Sequence, residues 1–71
     1  MRIGEVARRS GLSPTTIRYY EEIGLVPEPS RAANGYRDYE PEVVERLRFI
    51  SDAQDSGLTL AEIASILELR A

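Results

Sequence analysis

The stretch "SGLSP", residues 10–14, places a helix stop and a helix start within five positions. Gly11 accepts the left-handed backbone of a C-cap, and Ser13 is a preferred N-cap. Pro14 suits the first helical position, where its missing N–H would have no partner anyway. A connection this short forces two helices against each other. On its near side Ile3, Val6, Ala7 and Ser10 share one helical face. On its far side Leu12 and Ile17 stand at the two ends of a hydrophobic staple. Ala7 lets the second helix cross closely, Gly11 makes the turn, and Ile17 plugs the angle between the helices. The spacing fits a helix-turn-helix, and it also fits an ordinary helical hairpin, which needs the same residues.

The remaining punctuation is equally legible. The second helix, 13–23, stops at Gly24, with Leu25 placed to fold back on Tyr20, and Pro27 and Pro29 exclude helix beyond it. Residues 30–39, "SRAANGYRDY", read as a hairpin with strands of about four residues around an Asn34-Gly35 turn, because both positions accept φ > 0. A lone two-stranded hairpin is marginal in water, so this one must lean on the helices or on a ligand. Pro41 opens a third helix with Val43, Val44, Leu47, Ile50 and Ala53 inward, Tyr39 and Val44 as a staple, and Glu40 as a poor cap. Gly57 ends it. Thr59 and Glu62 then form a capping box, flanked by a Leu58–Ile63 staple, and Leu60, Ile63, Ala64 and Leu67 make the inner face of helix four. The expected architecture is mainly α, in the order helix, helix, β hairpin, helix, helix. It forms a single domain over 1–71, with a helix-turn-helix at 1–24, a wing at 25–40 and two supporting helices at 41–71.

Composition narrows the function classes. With no His, Cys or Lys the chain lacks the usual nucleophile–base pairs and any transition-metal cluster, so no enzyme, no metal and no cofactor is expected. No apolar run approaches the roughly 18 residues of a membrane span, and no basic-then-apolar leader opens the chain, which makes the cytoplasm the default and excludes a membrane partner. A net charge of −3 argues at first against a polyanionic partner. The distribution argues otherwise. Residues 1–39 hold six arginines against five acids, a net of +1, whereas residues 40–71 hold three against seven, a net of −4. Any anion-binding surface therefore lies in the first half. All nine basic residues are Arg, whose planar fork suits phosphates and guanine edges, although an arginine-rich composition bias yields the same count.

The second helix carries the sharper signal. Ile17, Tyr20 and Gly24 lie on one face, and Thr15, Arg18, Tyr19 and Glu22 on the other. The outward face begins at a cationic helix end and meets no acid between Ser13 and Tyr20. A recognition helix uses this layout: side chains of its N-terminal turns reach base edges while peptide N–H groups meet phosphate. Tyr19 can bond a phosphate or pack on a sugar or thymine methyl; the alternative is a tyrosine half-buried against the hairpin. Tyr20 reads as core with its hydroxyl at the rim. In the hairpin, Arg31 and Arg37 stand on opposite strands with Tyr36 and Tyr39 near them. Such a hairpin is a wing along the backbone or minor groove, or else a connector with solvated arginines.

The segments "IGEVARRSGLSPTTIRYYEEIGLV", "RAANGYRDY", "VERLRFI" and "GLTLAEIASIL" together resemble the DNA-binding domain of the MerR family of bacterial transcription regulators, from Ile3 to about Leu67. "IRYYEEIGL" and "NGYRDY" are the specific parts. The resemblance implies a winged helix-turn-helix with two further helices. It places Arg18, Tyr19 and Tyr20 in the recognition-helix motif, Arg37 and Tyr39 in the wing motif near phosphates, and Ser13, Thr15 and Thr16 at variable positions that help choose the operator. It implies double-stranded DNA carrying an inverted repeat as partner, RNA polymerase nearby, and a homodimer formed through a long helix beyond this domain. That helix and the family's effector region are absent from residues 1–71, which alone are expected to be monomeric. The chain departs from the pattern at Arg2, where a Ser or Thr cap often sits, and at Glu40. Its tail, "ILELRA", is similar to the heavy-metal-responsive subgroup. Two other readings compete: a stand-alone, excisionase-like DNA-architectural protein, and a protein-interaction module using the acidic half.

Overall fold

The computed structural model describes residues 1–70, with side chains through Glu68; Ala71 and the side chains of Leu69 and Arg70, at the end of the "ILELRA" tail, lie outside the described residues. The chain forms α1 (Ile3–Ser10), α2 (Pro14–Glu22), β1 (Ser30–Arg31), β2 (Arg37–Asp38), α3 (Glu42–Asp55) and α4 (Leu60–Arg70). This is the mainly-α, winged helix-turn-helix order expected from the sequence. α1 packs on both α2 and α3, and α3 carries α4.

The helix boundaries follow from their caps. Gly11 takes φ 77° and its N–H donates to the Ala7 carbonyl, closing α1. Ser13 Oγ accepts the Thr16 N–H at 3.2 Å, opening α2. At the other end of α2, Gly24 takes φ 83° and the Leu25 N–H returns to the Tyr20 carbonyl at 2.9 Å, which turns Leu25 and Val26 into the core. The Thr59–Glu62 capping box is reciprocal: the Thr59 N–H donates to Glu62 Oε1 at 2.9 Å and the Glu62 N–H to Thr59 Oγ1 at 3.1 Å. Those bonds hold the Glu62 carboxyl below its ordinary value, the backbone bond first. α3 begins at Glu42 rather than Pro41, and no side chain caps it. Its first turn closes tightly instead, with the Val43 N–H on the Glu40 carbonyl at 3.0 Å.

Every inward position of α3 is buried, and Val6, Ile17, Leu47, Ile50 and Ile63 are fully so. Ile3, Ala7, Leu60 and Ala64 sit at the margin of this core. Two arginines of α3 fasten the other half of the molecule. Arg46 Nε donates to the Leu25 carbonyl at 2.7 Å. Arg48 reaches the Arg9 carbonyl through Nε and Nη2 at 3.1 and 2.7 Å, serving an orphan acceptor at the end of α1.

The hairpin departs from expectation twice. Its strands are two residues each, paired Ser30 with Asp38 and Arg31 with Arg37. Its turn is not a two-residue Asn-Gly turn, because Gly35 alone is left-handed there and Asn34 keeps negative φ. The Gly35 N–H closes on Ala32 at 2.9 Å and the Ala32 N–H on the Tyr36 carbonyl at 2.8 Å, so a three-residue loop ends in a glycine bulge. Asn34 serves through its side chain, whose Oδ1 accepts the Tyr36 N–H at 3.2 Å. So short a hairpin persists because Met1 adds a rung: the Tyr39 N–H donates to the Met1 carbonyl, and the Met1 ammonium donates to the Tyr39 carbonyl, all at 2.7 Å. The ammonium also pairs with Asp38 at 2.8 Å.

Candidate nucleic-acid interface

α2 presents the face its sequence implies. Ile17 and Tyr20 point inward, while Thr15, Arg18, Tyr19 and Glu22 are exposed. Tyr19 is 48% exposed, so about half of its surface is open to solvent. Its ring leans on that of Tyr20 at 5.9 Å between centroids, tilted 48°, so it stands out from the surface on a fixed support. At the start of the helix, Ser13 and Thr16 share a 3.0 Å hydrogen bond between hydroxyls and hold each other in place. The Thr15 N–H has no partner among the described residues, and no acid lies in the first turn. The helix therefore begins with a free donor at its positive end, where an anion is favoured.

Tyr20 and Tyr39 are both buried. Tyr20 donates its hydroxyl to Gln54 Oε1 on α3 at 2.8 Å, tying the exposed helix to the scaffold. Tyr39 donates its hydroxyl to Glu21 Oε2 at 2.6 Å. Glu21 is the junction between α2 and the hairpin, for its other oxygen lies 4.0 Å from Arg37 Nε and its side chain is 8% exposed. Burial first, and then the hydrogen bond to and charge of Glu21, push the Tyr39 phenol up to about 12, against the pull of Arg37 and Arg18. The motif "NGYRDY" thus connects to "IRYYEE" through one nearly buried carboxylate. Sequence reading missed Glu21, whose only signal was its place on the inward flank of α2.

The wing residues divide. Arg31 Nη1 donates to the Gly35 carbonyl at 3.1 Å, which stiffens the loop. Tyr36 is 55% exposed, and Arg37 is half-buried between the wing and Glu21. Arg31 and Arg37 face each other across the strand pair, so their side chains emerge on the same side. The fold thus brings Arg37 and Tyr39 to Glu21, with Arg18 close enough for its charge to act on Tyr39, and sets Arg31 and Tyr36 along the hairpin.

Among the described residues no group of His, Cys, Asp or Glu is arranged to hold a metal ion, and no helix is long and apolar enough to cross a membrane.

The chain matches the MerR HTH family of regulatory proteins over residues 1–69. It is similar to the mercuric resistance operon regulatory protein of Bacillus cereus, 52% identical over 93% of this chain and 50% of that protein. It is similar to the HTH-type transcriptional regulator HmrR of Rhizobium leguminosarum bv. viciae, 48% identical over 97% of this chain and 53% of that protein. Among solved structures it resembles the transcription regulator PbrR691 from Ralstonia metallidurans, determined in complex with lead(II), with a TM-score of 0.89 at 40% identity. That match covers 99% of this chain and 55% of the other. The chain spans about half the length of the curated relatives it matches. A helix-turn-helix with an exposed, acid-free leading turn, a wing locked to it through Glu21, and a family match along nearly its whole length lead to one conclusion: the chain belongs to the MerR family of helix-turn-helix regulatory proteins and carries that family's DNA-binding domain.

Proposed function

We propose that α2 enters the major groove of a duplex half-site while the hairpin follows the adjacent backbone. The observation that carries this reading is the outer face of α2. The Arg18 guanidinium has no hydrogen bond or ion pair among the described residues, and it stands between the exposed Thr15 and Tyr19 on a helix whose first turn holds no acid. Leaving a guanidinium uncommitted beside an exposed tyrosine is consistent with a charged ligand arriving from outside. Thr15, Arg18 and Tyr19 reach the DNA; Ser13 and Thr16 shape the leading end that meets the first phosphate. Arg31, Tyr36 and Arg37 line the wing's backbone contact. Tyr20 and Tyr39 hold these groups in register from beneath.

The whole regulator acts in this reading as a cytoplasmic homodimer on an inverted repeat beside RNA polymerase. The heavy-metal names of the similar proteins suggest a metal response, which we assign outside residues 1–71 because these hold neither Cys nor His. Residues 1–71 alone are a monomer that meets one half-site.

The test is fluorescence anisotropy of the 71-residue chain on a labelled mixed-sequence duplex across a salt series. Each phosphate contact contributes about 0.9 to the slope of log K against log salt. Arg18→Ala and Arg37→Ala should each flatten the slope by about that amount with the helical spectrum intact. Unchanged slopes in both variants would refute the groove placement. Failure to find duplex binding that weakens with salt would favour the protein-interaction reading.

A further inference from the structure

The arginines are not equivalent. Eight of them have described side chains. Arg8 and Arg9 pair with Glu5, Arg37 faces Glu21, and Arg31, Arg46 and Arg48 donate to backbone carbonyls. Apart from that of Arg18, the Arg2 guanidinium alone among the described arginines makes neither hydrogen bond nor ion pair. It lies 4.1 Å over the centre of the Tyr36 ring. Arg2 stands at the N-cap of α1, and its side chain makes no capping bond.

Arg2 and Tyr36 form one wall of a cleft of about 430 Å³ between the start of α1 and the hairpin. Arg31, Arg37, Ile3 and Gly4 line it as well, and no acidic residue takes part. Three arginines thus converge on an acid-free cleft in a chain of net charge −3. Stacking on Tyr36 limits the orientations of the Arg2 fork before any ligand arrives, which lowers the cost of engaging a planar anionic group. Arg37 and Tyr36 belong both to this cleft and to the wing surface described above, so the two surfaces are continuous.

We propose that Arg2, stacked on Tyr36, extends the DNA surface past the wing and, with Arg31 and Arg37, takes the sugar–phosphate backbone flanking the half-site. The inference rests on the duplex-binding reading and adds to it a contact from α1.

Arg2→Ala, Arg2→Gln and Arg2→Lys are compared with wild type and Arg18→Ala on the same labelled 30-base-pair mixed-sequence duplex. Arg2→Ala and Arg2→Gln should each flatten the salt slope by about 0.9, a weakening of roughly eightfold at 0.1 M relative to 1 M salt. Arg2→Lys should keep the slope, since the charge remains, and its wild-type spectrum secures the comparison against misfolding. If Arg18→Ala flattens the slope and both Arg2 neutral variants leave it unchanged, this inference fails while the duplex-binding reading stands. If the wild-type chain ignores the duplex, both fail together. Calorimetric titration with inorganic phosphate alone should give no saturable heat. Saturable heat abolished by Arg2→Ala would overturn the backbone assignment in favour of a small-anion site.

Discussion

Tyr39→Phe should destabilise the domain by about 2 kcal/mol while leaving its packing untouched. The ring is 1% exposed and phenylalanine reproduces it, so the loss is confined to the hydroxyl. That hydroxyl donates at 2.6 Å to a Glu21 carboxylate with 8% exposed side chain, whose other oxygen has, among the described residues, only Arg37, 4.0 Å away. A hydrogen bond to a charged group contributes about 1.5–3 kcal/mol, and leaving the carboxylate short of a donor falls in the same range. In a domain of this size about 2 kcal/mol lowers Tm by roughly 8–16 °C. Glu21→Gln should cost less, because its amide oxygen still accepts the bond. A double-mutant cycle between the two positions should show coupling, since they share one interaction. The pH dependence has a definite sign. The folded Tyr39 phenol is raised from 10.0 to about 12, so folding favours the protonated form. That contribution is complete below pH 10 and is lost as pH rises through about 12, where the wild-type and Tyr39→Phe curves should converge. Thermal melts followed by circular dichroism supply the stability, and tyrosinate absorbance should lose its most alkaline step in the variant. A Tm drop under about 2 °C, or simple additivity with Glu21→Gln, would refute the reasoning.

Gly35→Val forces a β-branched residue to φ 85°, so the wing should lose its order and duplex binding should weaken while the helical spectrum persists; anisotropy and circular dichroism together decide it. Thr59→Ala removes half of the capping box and should lower Tm by about 4–8 °C without altering the salt slope of DNA binding. The Thr59 backbone N–H, the first cause of the depressed Glu62 carboxyl, stays in Thr59→Ala, so wild type and variant should both lose stability as pH falls through that lowered value and most of the Tm difference should persist, which melts at pH 3 and pH 7 would reveal. The 71-residue chain should sediment as a monomer and bind a half-site at roughly 10⁻⁴ to 10⁻⁶ M. Fusing two copies through a dimerising helix should raise affinity for an inverted repeat by about 10² to 10⁴. A stable dimer without that helix would favour the stand-alone architectural reading.

What the sequence determined by itself is the local punctuation. Gly11, Ser13 with Pro14, Gly24, and Thr59 with Glu62 stop or start helices through bonds that span at most five residues, so their spacing in the chain is already their geometry. The apolar period of α3 and the outward face of α2 were legible for the same reason. Even at short range the hairpin escaped, because Asn34 has two ways to make a turn, and the local bond from its side chain to Tyr36 prevails over a left-handed backbone. Only the tertiary structure decided which arginines are free. Arg46 and Arg48 are committed to carbonyls 21 and 39 residues away, whereas Arg2 and Arg18 are not, and nothing in nine identical side chains distinguishes them beforehand. It also decided that Glu21, rather than solvent, receives Tyr39. Such partners are set by which carbonyls and carboxylates the packed helices bring within 3 Å of a fork or a hydroxyl, a distance that the chain order does not encode.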